Sequence, residues 1–245
     1  MKLSDRVYLV GSGKFGMEMS HSMDCNVYLL DCGEEYALID AGSGLEPERI
    51  VRNIENNGIS MDRVTHLLLT HIHGDHAAGT AYWRERFGLK VAVSKEAAPW
   101  LANGDRDKTS LNHAIKGGVY PPDFQYPACQ VDIALEDDCT LTIGQLSLSA
   151  LATPGHSRGH LSFYWEENGD KCLFSGDAVF AAGKVVIQYI WDCIIEEYAA
   201  TVDKLNRLSI DSLYPGHGPF LCSNARNHIE AAHRYFSKLE VPPNL

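Results

Sequence analysis

An apolar strand that ends in a cluster of metal-capable side chains constrains this chain more than any other feature. Val64-Thr65-His66-Leu67-Leu68-Leu69-Thr70 reads as a buried strand, and His71-Ile72-His73-Gly74-Asp75-His76 follows it directly. Four of those six side chains can ligate a metal, and imidazole with carboxylate suits zinc, iron, manganese or cobalt. Gly74 is expected to let the backbone bend sharply, so that alternate side chains converge from a tight loop without a helix.

Three more candidates share one local setting. His156, Asp177 and His217 each lie in a glycine-bearing turn after a strand-like run: Thr153-Pro154-Gly155-His156, Phe174-Ser175-Gly176-Asp177 and Tyr214-Pro215-Gly216-His217. Strand-end loops are where a sandwich gathers its site. Singly, each signal is weak. Together with the first cluster they make seven ligands, enough for two metals sharing one carboxylate. His21, His66, His113, His228 and His233 have no motif around them and are read as non-ligands. His160 is read as holding its turn.

The rest of the chain alternates strands and helices in two similar halves. Strands are expected at 7–10, 26–30, 36–40, 64–70 and 90–94, with helices at 46–57, 77–87 and 95–102. The second half starts with strands at 131–136, 139–143, 146–151, 160–165 and 171–175. A helix at 195–208, a strand at 212–214 and a helix at 224–239 complete it. Two sheets packed face to face with helices outside fit this α/β order, as one domain over 1–245. Residues 103–130 carry no clear period but interleave Tyr120, Phe124 and Tyr126 with glycine and proline, and are expected to form a pocket wall.

Charge excludes one class of partner. Lys and Arg number 21 against 32 Asp and Glu, a net charge of −11, where a nucleic-acid binder would carry a basic surface. No stretch approaches the roughly 20 apolar residues of a membrane span. The first residues show no signal peptide, and the 7 cysteines form no Cys-x-x-Cys pair. Free thiols in a reducing, cytoplasmic setting are therefore expected. The expected partner is a small acyl compound, with no nucleic acid and no membrane, and the oligomeric state is left open.

The motifs "NVYLLDCGEEYALIDAG", "LLLTHIHGDHAAG", "LATPGHSRGHLSFYW", "LFSGDAVF" and "LYPGHGP", in that order, resemble the metallo-β-lactamase-fold superfamily, which includes glyoxalase II-like hydrolases and lactonases. The resemblance covers nearly the whole chain and implies a four-layer αββα sandwich. It implies that His71, His73 and His156 bind a first metal and Asp75, His76 and His217 a second. Asp177 bridges them, and Asp40 orients a ligand histidine from behind. The implied cofactors are two divalent ions, zinc first, with iron or manganese as alternatives. The implied chemistry is attack of a metal-bridging hydroxide on the carbonyl of a lactone, ester or thioester, with Asp75 relaying a proton.

Departures from family patterns narrow the branch. A bridging Asp177 argues against a true β-lactamase. The chain beyond His217 offers room for about one helix rather than a glutathione-binding domain, which places lactone and ester ahead of thioester. Phe180 stands where many lactonases carry a tyrosine, so Tyr189 or Tyr214 would have to supply that hydroxyl. Trp100, Tyr120, Phe124, Phe180, Tyr189 and Trp191 are the candidate pocket wall, and Lys184 and Arg158 the candidate clamps for an anionic substrate. The alternatives are a mononuclear iron persulfide dioxygenase using His73, His156 and Asp177, and a non-catalytic metal-binding sensor or interaction module.

Overall fold

Six strands make the first sheet, in chain order across it: β1 (Val7–Gly11), β2 (Val27–Asp31), β3 (Tyr36–Ile39), β4 (Val64–Leu68), β5 (Lys90–Ser94) and β6 (Ile133–Leu135). The first three pair antiparallel, and β3 to β6 run parallel. The second sheet is built from β7 (Cys139–Ile143), β8 (Leu146–Ala152), β9 (Leu161–Glu167), β10 (Asp170–Gly176) and β11 (Ser212–Pro215). Its strands are antiparallel except for the last pair, β10 with β11. This computed structural model describes all residues 1–245. No helix is long and apolar enough to cross a membrane.

Alternation along the strands explains the layers. In β2, Val27 and Leu29 face one apolar cluster while Tyr28 and Leu30 face another. The first cluster packs against helices α1 (Pro47–Glu55), through Ile50 and Ile54, and then, past the short turn α2 (Gly74–Ala77), α3 (Thr80–Phe87), through Trp83. The second lies between the sheets, where Tyr28 and Leu30 meet Phe163, Trp165 and Phe174. A third joins Leu173 and Leu213 of the second sheet to the outer helices that follow α4 (Ala98–Asn103) and α5 (Leu111–Lys116). These are α6 (Ile195–Arg207), with Tyr198 and Val202, and α7 (Ala225–Phe236), with Ile229. Strands buried on both faces lose the polar half of their pattern, which is why β2 and β3 read as apolar runs. Three apolar seams separate four layers, the αββα sandwich the sequence led us to expect.

Three local expectations differ from the structure. The strand expected at 131–136 does not open the second sheet; Ile133–Leu135 closes the first, parallel to β5 with Ala92 opposite Ile133. Its partner is chosen by a long crossover, which a short run of apolar residues cannot encode. The helix expected at 77–87 is two pieces, α2 and α3, separated at Ala78-Gly79. The aperiodic stretch 103–130 contains a helix, α5, too short to show a period.

Candidate metal centre

The strand ends converge on one edge. Within the first sheet β3 and β4 run parallel, and within the second β8, β10 and β11 share a direction. Asp40, the His71–His76 loop, His156, Asp177 and His217 follow those five strands, so the loops of both sheets meet there. All of them except Asp75 are buried. Groups of side chains that could hold a metal form at His71, His73 and His156, at Asp75, His76 and His217, and at His71, His76 and Asp177. All seven expected ligands are thus brought together. A further grouping, Cys25 with Asp40 and His76, lies behind His76.

Gly74 acts differently from the expectation. It is the first residue of a helical turn rather than a sharp bend, and a Cβ there would lie 3.2 Å from the rings of Tyr120 and Phe124. Its role is to let that aromatic pair pack across the loop. Gly216 works similarly, since a Cβ there would collide with Asp177 Oδ1 and His76 Cε1.

Hydrogen bonds behind the imidazoles fix which nitrogen carries the proton. Asp40 Oδ2 lies 2.8 Å from His76 Nδ1, so Nδ1 donates and Nε2 faces the cluster as a lone pair. The Thr70 hydroxyl donates to Asp40, which leaves its oxygen to accept from His71 Nδ1 at 3.1 Å. His156 Nδ1 donates to the Val186 carbonyl at 2.9 Å. His73 Nε2 donates to Asp192 Oδ2 at 3.1 Å. The inward atoms are therefore acceptors only: His71 Nε2, His73 Nδ1, His76 Nε2 and His156 Nε2.

Two of those acceptors, His73 Nδ1 and His156 Nε2, point at each other 3.0 Å apart, while His217 Nε2 lies between His76 Nε2 at 3.3 Å and the Asp75 carboxylate at 3.0 Å. His71 Nε2 and Asp177 Oδ1 are buried with no hydrogen-bond partner at all. Facing lone pairs and orphaned acceptors in a buried site require a cation. The donor set thus fits divalent metal. Burial holds the pKa of His71 well below the usual range and brings that of His156 to about 4, although Asp177 pulls the latter upward. Both are neutral at pH 7, as a ligand must be. Burial also lowers the pKa of His76 and His217, but the carboxylates of Asp177 and Asp75 beside them outweigh it and raise both, so a metal binding there displaces protons. Asp177 Oδ1 lies 3.4 Å from His76 Nε2, and its Oδ2 lies 3.5 Å from both His156 and His217 Nε2.

His160 holds the backbone beside the cluster and ligates nothing. Its Nε2 accepts the Asp177 backbone N–H at 3.0 Å, and its Nδ1 bonds the Thr153 hydroxyl at 2.8 Å. Asp192, which sequence reading missed, is the buried carboxylate behind His73. Burial would raise its pKa, but the bonds from His73, Ser110 and Ser157 hold it at about 2. Its only sequence signal is a lone acid in the apolar run Tyr189-Ile190-Trp191-Asp192-Cys193-Ile194-Ile195.

A cavity of about 540 Å³ opens onto His73, Asp75, His156, Asp177 and His217. Residues 103–130 do form part of its wall, through Ser110, His113, Ala114, Val119 and Tyr120. Of the six aromatics expected there, only Tyr120 and Tyr189 line it. Phe124 packs behind Tyr120, Phe180 is fully buried, and Trp100 pairs edge-on with Trp191 at 5.7 Å. Tyr214 is buried against Phe174 and Trp165 and does not reach the cavity. Phe15, Ile190 and Leu245, none of them expected, complete the apolar wall. Neither expected cation is present: Arg158 faces Glu96 at 3.5 Å, and Lys184 is absent from the lining.

A strand-end cluster of histidines and aspartates on an αββα sandwich defines a class of metal-dependent hydrolases. The family model of the metallo-beta-lactamase superfamily matches residues 23–217, and the chain belongs to that superfamily. It is 28% identical to "Acyl-coenzyme A thioesterase MBLAC2" of Bos taurus, over 88% of this chain and 80% of that one. It is also 28% identical to a probable metallo-hydrolase of Methanocaldococcus jannaschii, over 79% of this chain and 87% of that one. A subclass B3 metallo-beta-lactamase of Bradyrhizobium japonicum shares the fold at a TM-score of 0.74 and 23% identity, covering 98% of this chain and 92% of that one.

Proposed function

We propose that this chain hydrolyses the lactone, ester or thioester bond of a small acyl compound whose cavity-bound part is uncharged. His71, His73 and His156 hold one divalent metal, Asp75, His76 and His217 the second, and Asp177 lies between them. The observation that carries this is the ring of buried acceptor atoms whose only remedy is a cation, opening onto an apolar cavity. Metal bound there would acidify water and polarise a carbonyl oxygen, and zinc, iron and manganese all suit the donors. The chain itself sets the tautomers through Asp40, Thr70, Asp192 and the Val186 carbonyl, and Asp75, at the cavity edge, is placed to carry a proton away. Ligand loops come from both sheets, in keeping with one domain over 1–245.

Substrate choice follows from the walls. Burying apolar surface stabilises by about 25 cal/mol per Å², and Phe15, Val119, Ile190 and Leu245 offer such surface. No Lys or Arg lines the cavity. A carboxylate brought inside without a partner would cost more than the roughly 1–3 kcal/mol of an unpaired neutral polar group. The name of the bovine relative brings thioesters level with lactones and esters, provided the charged portion of the thioester stays outside.

Purified without chelator, the protein should carry close to two metal equivalents. On that preparation, kcat/KM for a neutral lactone, an ester or an acyl thioester should exceed that for a cephalosporin by roughly 10- to 100-fold. A preference for the cephalosporin would overturn the reading of the walls and leave the metal centre standing. One equivalent after full reconstitution would overturn the two-metal proposal, and redox-active iron as that equivalent would favour a dioxygenase.

A further inference from the structure

The aperiodic segment 103–130 places a hydroxyl behind each half of the centre. Tyr120 Oη donates to Asp75 Oδ1 at 2.8 Å and accepts the Asp75 backbone N–H at 3.0 Å. That leaves Asp75 Oδ2 facing His217 Nε2 at 3.0 Å and His76 Nε2 at 3.7 Å. Ser110 Oγ donates to Asp192 Oδ1 at 2.7 Å, and Asp192 Oδ2 accepts a hydrogen bond from His73 Nε2 at 3.1 Å. From the same segment, Tyr126 Oη donates to the Ile72 carbonyl at 3.0 Å.

We infer that residues 103–130 act as a two-armed clamp on the metal centre: Tyr120 sets Asp75 for one metal, and Ser110, through Asp192, sets His73 for the other. This rests on the two-metal proposal above. Tyr120, Ser110 and Asp192 are positioning residues, acting through the ligands they touch.

Each arm has an independent physical argument. The terminal torsion of a carboxylate is broad and nearly two-fold, so Asp75, at the cavity edge, is not self-orienting. Tyr120 removes that freedom with both a donor and an acceptor contact, and its own ring is fixed by stacking on Phe124 at 4.4 Å. Gly74 is the residue that makes room for this pair. On the other arm, Ser110 occupies the N-cap position of α5, where a serine hydroxyl ordinarily accepts a bond from its own helix. Here it makes no such bond and reaches Asp192 instead. Ser110 also holds φ at +55°, a conformation that a non-glycine residue keeps only where its surroundings over-determine it. Both departures from local preference favour the contact with Asp192. The same stretch of chain supplies cavity wall, through His113 and Val119, so substrate contact and ligand placement share one element.

The test is stepwise Co²⁺ titration of metal-free protein, followed by visible absorption with a competing chelator. Tyr120→Phe, which keeps the ring, should weaken one equivalent by about 10- to 100-fold and leave the other unchanged. Ser110→Ala should weaken the opposite equivalent, with Asp192→Asn falling beside it. Asp192→Asn carries that arm alone if Ser110→Ala fails to fold, and thermal unfolding of the metal-free variants reads folding separately. Variants that weaken both equivalents alike, or weaken neither, would overturn the clamp while two equivalents in the unsubstituted protein keep the two-metal proposal. A single equivalent in the unsubstituted protein overturns both.

Discussion

Asp177→Ala should empty the centre of both metal equivalents and abolish measurable turnover. Its two oxygens lie 3.4–3.5 Å from nitrogens of His76, His156 and His217, so it reaches both proposed ligand groups. Its charge also matters. Without it, Asp75 is the only anion among the six remaining proposed ligands, set against five imidazoles. The carboxylate is held in place by its backbone: the Asp177 N–H donates to His160, and its carbonyl accepts from the Tyr198 hydroxyl. Asp40→Ala is the contrast. Asp40 touches His76 and Thr70 but faces neither metal group directly, so its loss should fall in the milder range of about 10–100-fold. Metal analysis and kcat/KM on both variants check this ordering. An Asp177→Ala protein that retained two equivalents and a near-normal rate would show that Asp177 does not bridge.

Stripping the metal should lower the melting temperature steeply. A ligand present at a thousand times its Kd stabilises the folded state by about 4.1 kcal/mol. In a chain of this size each kcal/mol moves Tm by about 2–4 °C, so each such equivalent is worth about 8–16 °C. The physical source is visible in the site. His73 Nδ1 and His156 Nε2 confront each other at 3.0 Å, and His71 Nε2 is buried without a hydrogen-bond partner, so a cation is what reconciles them. These groups tie the loops of both sheets together, so their strain opens the edge where the sheets meet. Thermal scans with chelator and at graded metal concentrations should trace this dependence. A Tm indifferent to metal would mean that the centre contributes nothing to holding that edge.

Much of the site could be read locally because its chemistry and its punctuation sit side by side. His71, His73, Asp75 and His76 follow one strand without a gap, and His156, Asp177 and His217 each follow a glycine that ends another. Strand period and turn residues are properties of a few consecutive residues, so they survive in the sequence whatever the rest of the chain does. Tyr120, Ser110 and Asp192 carry no such punctuation. His73 and Asp192 are separated by 119 positions and Tyr120 from Asp75 by 45, and no local pattern encodes those meetings.

The sequence by itself determined the layered α/β architecture, the seven candidate ligands and the net acidic charge, because periodicity, spacing and charge are local or additive. Only the tertiary structure decided that 133–135 closes the first sheet, and that Trp100 and Trp191 pair with each other instead of lining the cavity. It alone showed that Phe15 and Leu245 from opposite ends of the chain line the same cavity. Those outcomes depend on which distant surfaces find each other when three apolar seams form at once, and packing of that kind is a property of the assembled layers rather than of any segment.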